Sequence, residues 1–213
     1  MNIVETVRVR FTKTGRAKYI SHLDLMRTMT RVLRRAEIPL WYTEGFSKHP
    51  YITFAAPLSL GYEGLCEYMD FRLEEDVPME EIVSRLNDNM PEGITVIGAA
   101  PAQRKVGEIA SSRWEIRMDA SVEDAVRATL EKDTIDVQKR TKKKTFKTID
   151  IKPTIRDVEI TIDGSELVLC VTLPTGSDQA VNPSLLLTAV FGEEYEADIT
   201  RVAVMTEDGK IFL

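Results

Sequence analysis

The 213-residue chain has 43% hydrophobic and 29% charged residues, a formal net charge of −6 and a mean hydropathy of −0.17. That length fits one large domain or two small ones, and the composition excludes a disordered tail. No run approaches the ~18 apolar residues of a spanning helix, which argues against a membrane protein. The opening Met1-Asn2-Ile3-Val4-Glu5 carries an early acid and no apolar core, so a cytoplasmic protein without a signal peptide is expected.

In chain order, Val4–Phe11 has β-branched residues in partial alternation and reads as a strand, closed by a turn at Thr12–Gly15. Ser21 opens a helix with Asp24 in a near capping-box position, and Leu25, Met26, Met29, Val32, Leu33 and Ala36 share one face of it. Pro39 ends the helix, and Leu40–Tyr42 and Tyr51–Ala55 read as short strands around a loop. Cys66–Leu73 is a further strand, Pro78–Met90 an amphipathic helix and Gly93–Ile97 a strand. The order β-α-β-β-α-β is the ferredoxin-like, or split βαβ, pattern.

A second pass of the pattern follows. Trp114–Met118 reads as a strand, and Ser121 as the cap of a helix to about Glu131. Strands follow near Thr134–Lys139, Val158–Ile162 and Leu167–Leu173, the last two turned by Asp163-Gly164. Asn182-Pro183 starts a helix that Gly192 ends, and Ala197–Met205 is the final strand. The predicted fold is α+β: two tandem ferredoxin-like halves with mostly antiparallel sheets. They cover residues 1–103 and 104–213 and join near Ala99–Gly107, with a basic flap at 138–156 in the second half.

The charge is unevenly spread. Residues 1–50 hold ten Lys/Arg against four Asp/Glu, and Gln138–Arg156 holds eight against one, on an otherwise acidic chain. Two basic segments on an acidic body predict a localised anionic partner, the competing reading being solvated surface. On the first helix, Arg27, Arg31, Arg34 and Arg35 fall within an arc of about 100° opposite the apolar stripe, without acids except Asp24. The planar, always-charged guanidinium suits phosphate, so such a row can track a nucleic-acid backbone.

Glu44-Gly45-Phe46-Ser47-Lys48-His49-Pro50 combines a flexible Gly, an aromatic, a base and a histidine in one loop, with Trp41, Tyr42 and Tyr51 beside it. Aromatics interleaved with bases suit unstacked nucleotides, although Trp41 and Phe46 read first as core residues. His22 reads as a surface or capping-region residue at the helix start. In the flap, Lys142, Lys143, Lys144 and Lys147 surround Phe146 and can clamp a phosphate backbone, a mobile solvated loop fitting the composition equally well. Two histidines and two cysteines about a hundred residues apart, Cys66 and Cys170, make neither a metal site nor an expected disulfide. Phosphate-loop, dinucleotide, serine-hydrolase and iron–sulfur motifs are absent, which disfavours those chemistries and predicts no cofactor in this chain.

The run Tyr19-Ile20-Ser21-His22-Leu23-Asp24-Leu25-Met26-Arg27, with Arg34–Pro39, the Glu44–Pro50 loop, Phe54-Ala55-Ala56-Pro57-Leu58-Ser59-Leu60-Gly61 and the Lys-rich Thr141–Arg156 segment, resembles the radical SAM-linked protein family. That family is a bacterial domain of unknown function, found alone or fused behind a cobalamin-type radical SAM protein. The resemblance covers nearly the whole chain and departs from the expected loop pattern at Ser47 and Lys48. It supplies no reaction or catalytic residue, but implies a radical SAM enzyme as partner.

The leading expectation is therefore a non-catalytic RNA-binding or substrate-presenting accessory protein for such an enzyme in RNA modification, transfer RNA included. One rival is a metal-independent endoribonuclease, with His49 as general acid/base and Lys48 or Arg35 stabilising charge. This rival rests on fold analogy. A pseudouridine synthase would need a nucleophilic Asp, and Asp24 is better explained as a helix-capping residue. The other rival is a protein-only adaptor of the radical SAM enzyme.

Overall fold

The computed structural model describes residues 5–140, 145–176 and 180–212. They form two compact α+β units, the first reaching Glu108 and the second running from Ile109 to Phe212.

The first unit contains β1 (Thr6–Lys13), α1 (His22–Arg35), β2 (Ile52–Ala55), β3 (Glu63–Arg72), α2 (Met79–Asn87) and β4 (Ile94–Pro101). All pairings are antiparallel, in the order β4-β1-β3-β2. Alternation on β1 sends Val7, Val9 and Phe11 into the core, where Met69 and Phe71 of β3 join them. Leu25, Met29, Val32 and Leu33 form the buried stripe of α1 against the same cluster. The Ser21 hydroxyl accepts the Asp24 N–H at 3.2 Å and donates to its carboxylate at 2.7 Å, so the cap is the one read from sequence. Asn87 ties α2 to β4 with paired bonds to the Val96 N–H and C=O at 2.8 and 2.9 Å.

Leu40–Tyr42 departs from the expected strand. It makes only isolated bridges, Leu40 to Leu73 and Tyr42 to Pro50. The Tyr42–Pro50 bridge rests on the bonds of its flanking residues, and the chain leaves it at once for the exposed Glu44–His49 loop, so the pairing stops after one step.

The second unit contains β5 (Ile109–Asp119), α3 (Glu123–Leu130), β6 (Asp136–Arg140), β7 (Phe146–Asp150), β8 (Arg156–Asp163), β9 (Glu166–Pro174), α4 (Pro183–Phe191) and β10 (Asp198–Thr206). Its antiparallel sheet runs β10-β5-β9-β8, so β5, β8, β9 and β10 take the places that β1, β2, β3 and β4 hold in the first unit. Ile116, Met118, Leu167, Leu169 and Val171 are buried, as are Val126 of α3 and Leu186 and Leu187 of α4. β6 and β7 pair with each other as a separate hairpin, so the strand expected near Thr134–Lys139 lies outside the main sheet.

Ser121 is not the cap expected for α3. The Asp119 carboxylate accepts the Ser121 N–H at 2.9 Å and starts a short 3-10 turn at Ala120–Val122, from which α3 continues. A carboxylate is the stronger acceptor for a helix-entry N–H, and the Ser121 side chain followed by its N–H holds the Asp119 carboxyl below its ordinary range. Asn182, Pro183 and Gly192 bound α4 as read: the Asn182 side chain accepts the Ser184 N–H at 3.0 Å, and Gly192 turns the chain at φ 79°.

Candidate nucleic-acid interface

α1 exposes all its arginines opposite the apolar stripe, but they are not equivalent. Arg27 pairs with Asp24 at 3.0 Å, and the Ser21 hydroxyl followed by Arg27 holds the Asp24 carboxyl below the usual carboxylate range. Arg35 donates to the Asn89 carbonyl at 2.7 Å. Arg31 and Arg34 have no hydrogen bond or ion pair among the described residues. The row expected to track phosphate thus contains two tethered and two open guanidinium groups.

The loop between α1 and β2 is drawn together at its base. Thr43 N–H donates to the His49 carbonyl at 2.9 Å, and Tyr51 N–H to the Trp41 carbonyl at 3.3 Å. His49 N–H donates to Thr43 Oγ1 at 3.3 Å, while its Nδ1 lies 3.2 Å from Thr43 Oγ1 and 3.1 Å from the Ser47 carbonyl. These bonds make His49 a brace of the loop. Glu44 to His49 are exposed, including Ser47 and Lys48.

Phe46 is not the core residue expected: its ring is fully exposed. Gly45, at φ 131°, turns the chain outward immediately before it, at a backbone geometry that side chains rarely adopt. Trp41 is half-buried, and the Arg72 guanidinium at the end of β3 lies 5.3 Å from its ring and 4.3 Å from that of Tyr51.

The hairpin carries a second basic surface. β6–β7 register sets Lys139 opposite Lys147, and Phe146 is exposed. The Lys139 ammonium donates to the Ala180 carbonyl at 2.8 Å, whereas Lys147 is exposed. Lys142, Lys143 and Lys144 lie outside the described residues.

Two polar sites of the first unit had no sequence signal beyond charged residues inside strands. Arg8 donates from Nε and Nη2 to both Asp70 carboxylate oxygens at 2.8 Å, and from Nη2 to the Arg104 carbonyl at 2.9 Å, with both side chains buried. A second pair of buried charges, Lys13 and Glu67, lines a small cavity with His22, Phe54 and Leu58. His22 is exposed at the helix start, the surface residue expected, with its ring edge-on to Phe54 at 5.6 Å. Gly64 leaves room for the Glu67 side chain: a Cβ there would overlap the carboxylate. Among the described residues no group of three or more His, Cys, Asp or Glu is placed to hold a metal ion, and Cys66 and Cys170 are free thiols. Among the described residues no helix is long and apolar enough to cross a membrane.

Residues 6–183 match the model of a family described as an uncharacterized protein conserved in bacteria, DUF2344. No curated protein matches the chain. Among solved structures, the crystal structure of an unknown protein from Galdieria sulphuraria is similar at 13% identity and a TM-score of 0.28, over 93% of this chain and 97% of that one.

Proposed function

We propose that this chain, which belongs to the bacterial DUF2344 family, is an RNA-binding accessory protein that holds unstacked nucleotides on its first unit. The observation that carries the reading is Phe46. A phenyl ring fully in solvent, on a loop closed at its base and followed by Ser47, Lys48 and His49, stabilises nothing in its own fold. It is free to stack on a base while the neighbouring ammonium meets phosphate. The open guanidinium groups of Arg31 and Arg34 extend the same chemistry along α1.

Two ferredoxin-like halves are the proposed scaffold, supported by the strand order common to both units. The proposed partner, a radical SAM enzyme modifying RNA such as transfer RNA in the cytoplasm, rests on the sequence resemblance. The chain itself is assigned presentation of the substrate and no cofactor.

The test is fluorescence anisotropy with labelled single-stranded and duplex RNA of equal length. Wild type should prefer the single strand, and Phe46→Ala should weaken it about tenfold, the effect of one lost base stack. Equal binding of both RNAs, or an unchanged Phe46→Ala variant, overturns the proposal.

A further inference from the structure

Arg72 is set apart from the other arginines by what surrounds it. Its guanidinium lies 4.3 Å from the centre of the Tyr51 ring and 5.3 Å from that of Trp41, and all three side chains are half-buried. The Trp41 N–H donates to the Arg72 carbonyl at 2.9 Å, which fixes the loop strand beside the end of β3. Yet the guanidinium has no hydrogen bond or ion pair among the described residues.

Arg8, two strand positions along the same face of β3 through its partner Asp70, shows the usual arrangement, with a bidentate carboxylate and a carbonyl on its donors. An aromatic ring attracts the face of a guanidinium and leaves the five N–H groups at its edge unused. A guanidinium immobilised in this way has lost most of its rotamer freedom before any ligand arrives, and its planar fork matches two oxygens of a phosphate.

We propose that Arg72, held against Trp41 and Tyr51, is a preset fork for an RNA phosphate at the foot of the loop that displays Phe46. The polymer named here rests on the proposed RNA binding, whereas the phosphate chemistry rests on Arg72 and its rings. Phosphate is favoured over an acidic side chain because the loop that Trp41 and Tyr51 flank also carries the exposed Phe46 ring, a stacking surface for a base of the same strand.

Two measurements test it on the full chain. In the first, the Arg72 Nε–H resonance, assigned by its loss in Arg72→Lys, is followed during titration with uridine 3′-monophosphate, uridine and a poly-glutamate peptide. The monophosphate should shift it and uridine should not. A shift by the peptide at lower concentration than the monophosphate overturns the proposal in favour of an acidic protein partner.

In the second, a labelled 12-nucleotide oligouridine is titrated across a salt series. Arg72→Ala should weaken binding about tenfold and flatten the log–log salt slope by about 0.7, one single-strand phosphate. Arg72→Lys should keep the slope and lose about fivefold in affinity, because a point charge cannot form the fork. Weaker binding of Arg72→Ala at unchanged slope would make Arg72 a staple of the loop and overturn the phosphate assignment. If oligouridine fails to bind wild type while the monophosphate still shifts Arg72, the RNA reading fails and the fork stands. If oligouridine binds through Phe46 with Arg72 silent in both measurements, the fork alone fails.

Discussion

The arginines of β5 in the second unit and two of those on α1 in the first are in opposite states. On the second unit, Arg117 is held by Glu115 at 2.8 Å and Glu166 at 3.1 Å, with Asp163 at 3.6 Å, and Arg113 by Glu159 at 2.9 Å. On α1 of the first unit, Arg31 and Arg34 have no such partner among the described residues. The difference follows from which residues are neighbours on each element. Outward positions on three neighbouring strands lie side by side, so acids on β8 and β9 reach bases on β5. On a helix the neighbours are three and four residues away, and for Arg31 these include Arg27, Arg34 and Arg35. An arginine stays without an ion pair where no carboxylate stands at a neighbouring position, and the count of basic residues does not reveal this.

The comparison breaks first at its buried extreme. Arg8→Ala leaves Asp70 as an uncompensated buried carboxylate, and urea denaturation should show a loss of about 3–5 kcal/mol. Next, Arg31→Ala with Arg34→Ala should leave the denaturation midpoint in place and flatten the salt slope for single-stranded RNA by about 1.4, two phosphates. Arg113→Ala with Arg117→Ala should leave that slope unchanged; a flattening there would put RNA on the second unit.

Helix entry offers a smaller contrast. Ser21→Ala removes the cap of α1 and should cost about 1 kcal/mol, whereas Ser121→Ala, where Asp119 is the acceptor, should stay within about 0.5 kcal/mol. An effect of similar size concerns alkaline pH. Burial, the largest cause, pushes the Tyr68 hydroxyl up to about 12 from its ordinary 10. The unfolded chain loses this proton first, so the stability it protects is intact below pH 10 and is lost as pH rises toward 12. Tyr68→Phe should remove that part of the alkaline decline, read as the midpoint at pH 9 against pH 11.

Much of this was legible because it is local. The Ser21 cap, the Leu25–Leu33 stripe, and Asn182-Pro183 with Gly192 involve residues within one or two helical turns. The exposed row on α1 followed from the same periodicity, but its division into tethered and open members depended on Asn89, which lies on a different element. Hydrophobicity assigns the Phe46 ring to the core by default, whereas the outward turn at Gly45 is a property of the backbone. The stack of Arg72 on Trp41 and Tyr51 joins positions some twenty to thirty residues apart through strand pairing, and no short-range pattern records it. Nothing in the sequence marks Lys13 and Glu67 as buried, because charged side chains are expected in water and only the fold encloses them.

β8 is the last strand of its sheet among those described, and its pairing with β9 slips between Arg156 and Glu159, where Asp157 takes a left-handed backbone at φ 50°. Aspartate tolerates that geometry better than the β-branched residues around it. The resulting bulge bends the edge, and the exposed charges of Arg156, Asp157 and Glu159 line it. A second molecule meeting this edge finds neither a straight backbone to extend nor a neutral strip to lie against. The exposed Val158 and Ile162 can therefore remain at the surface of a concentrated protein without seeding cross-β growth from chain to chain.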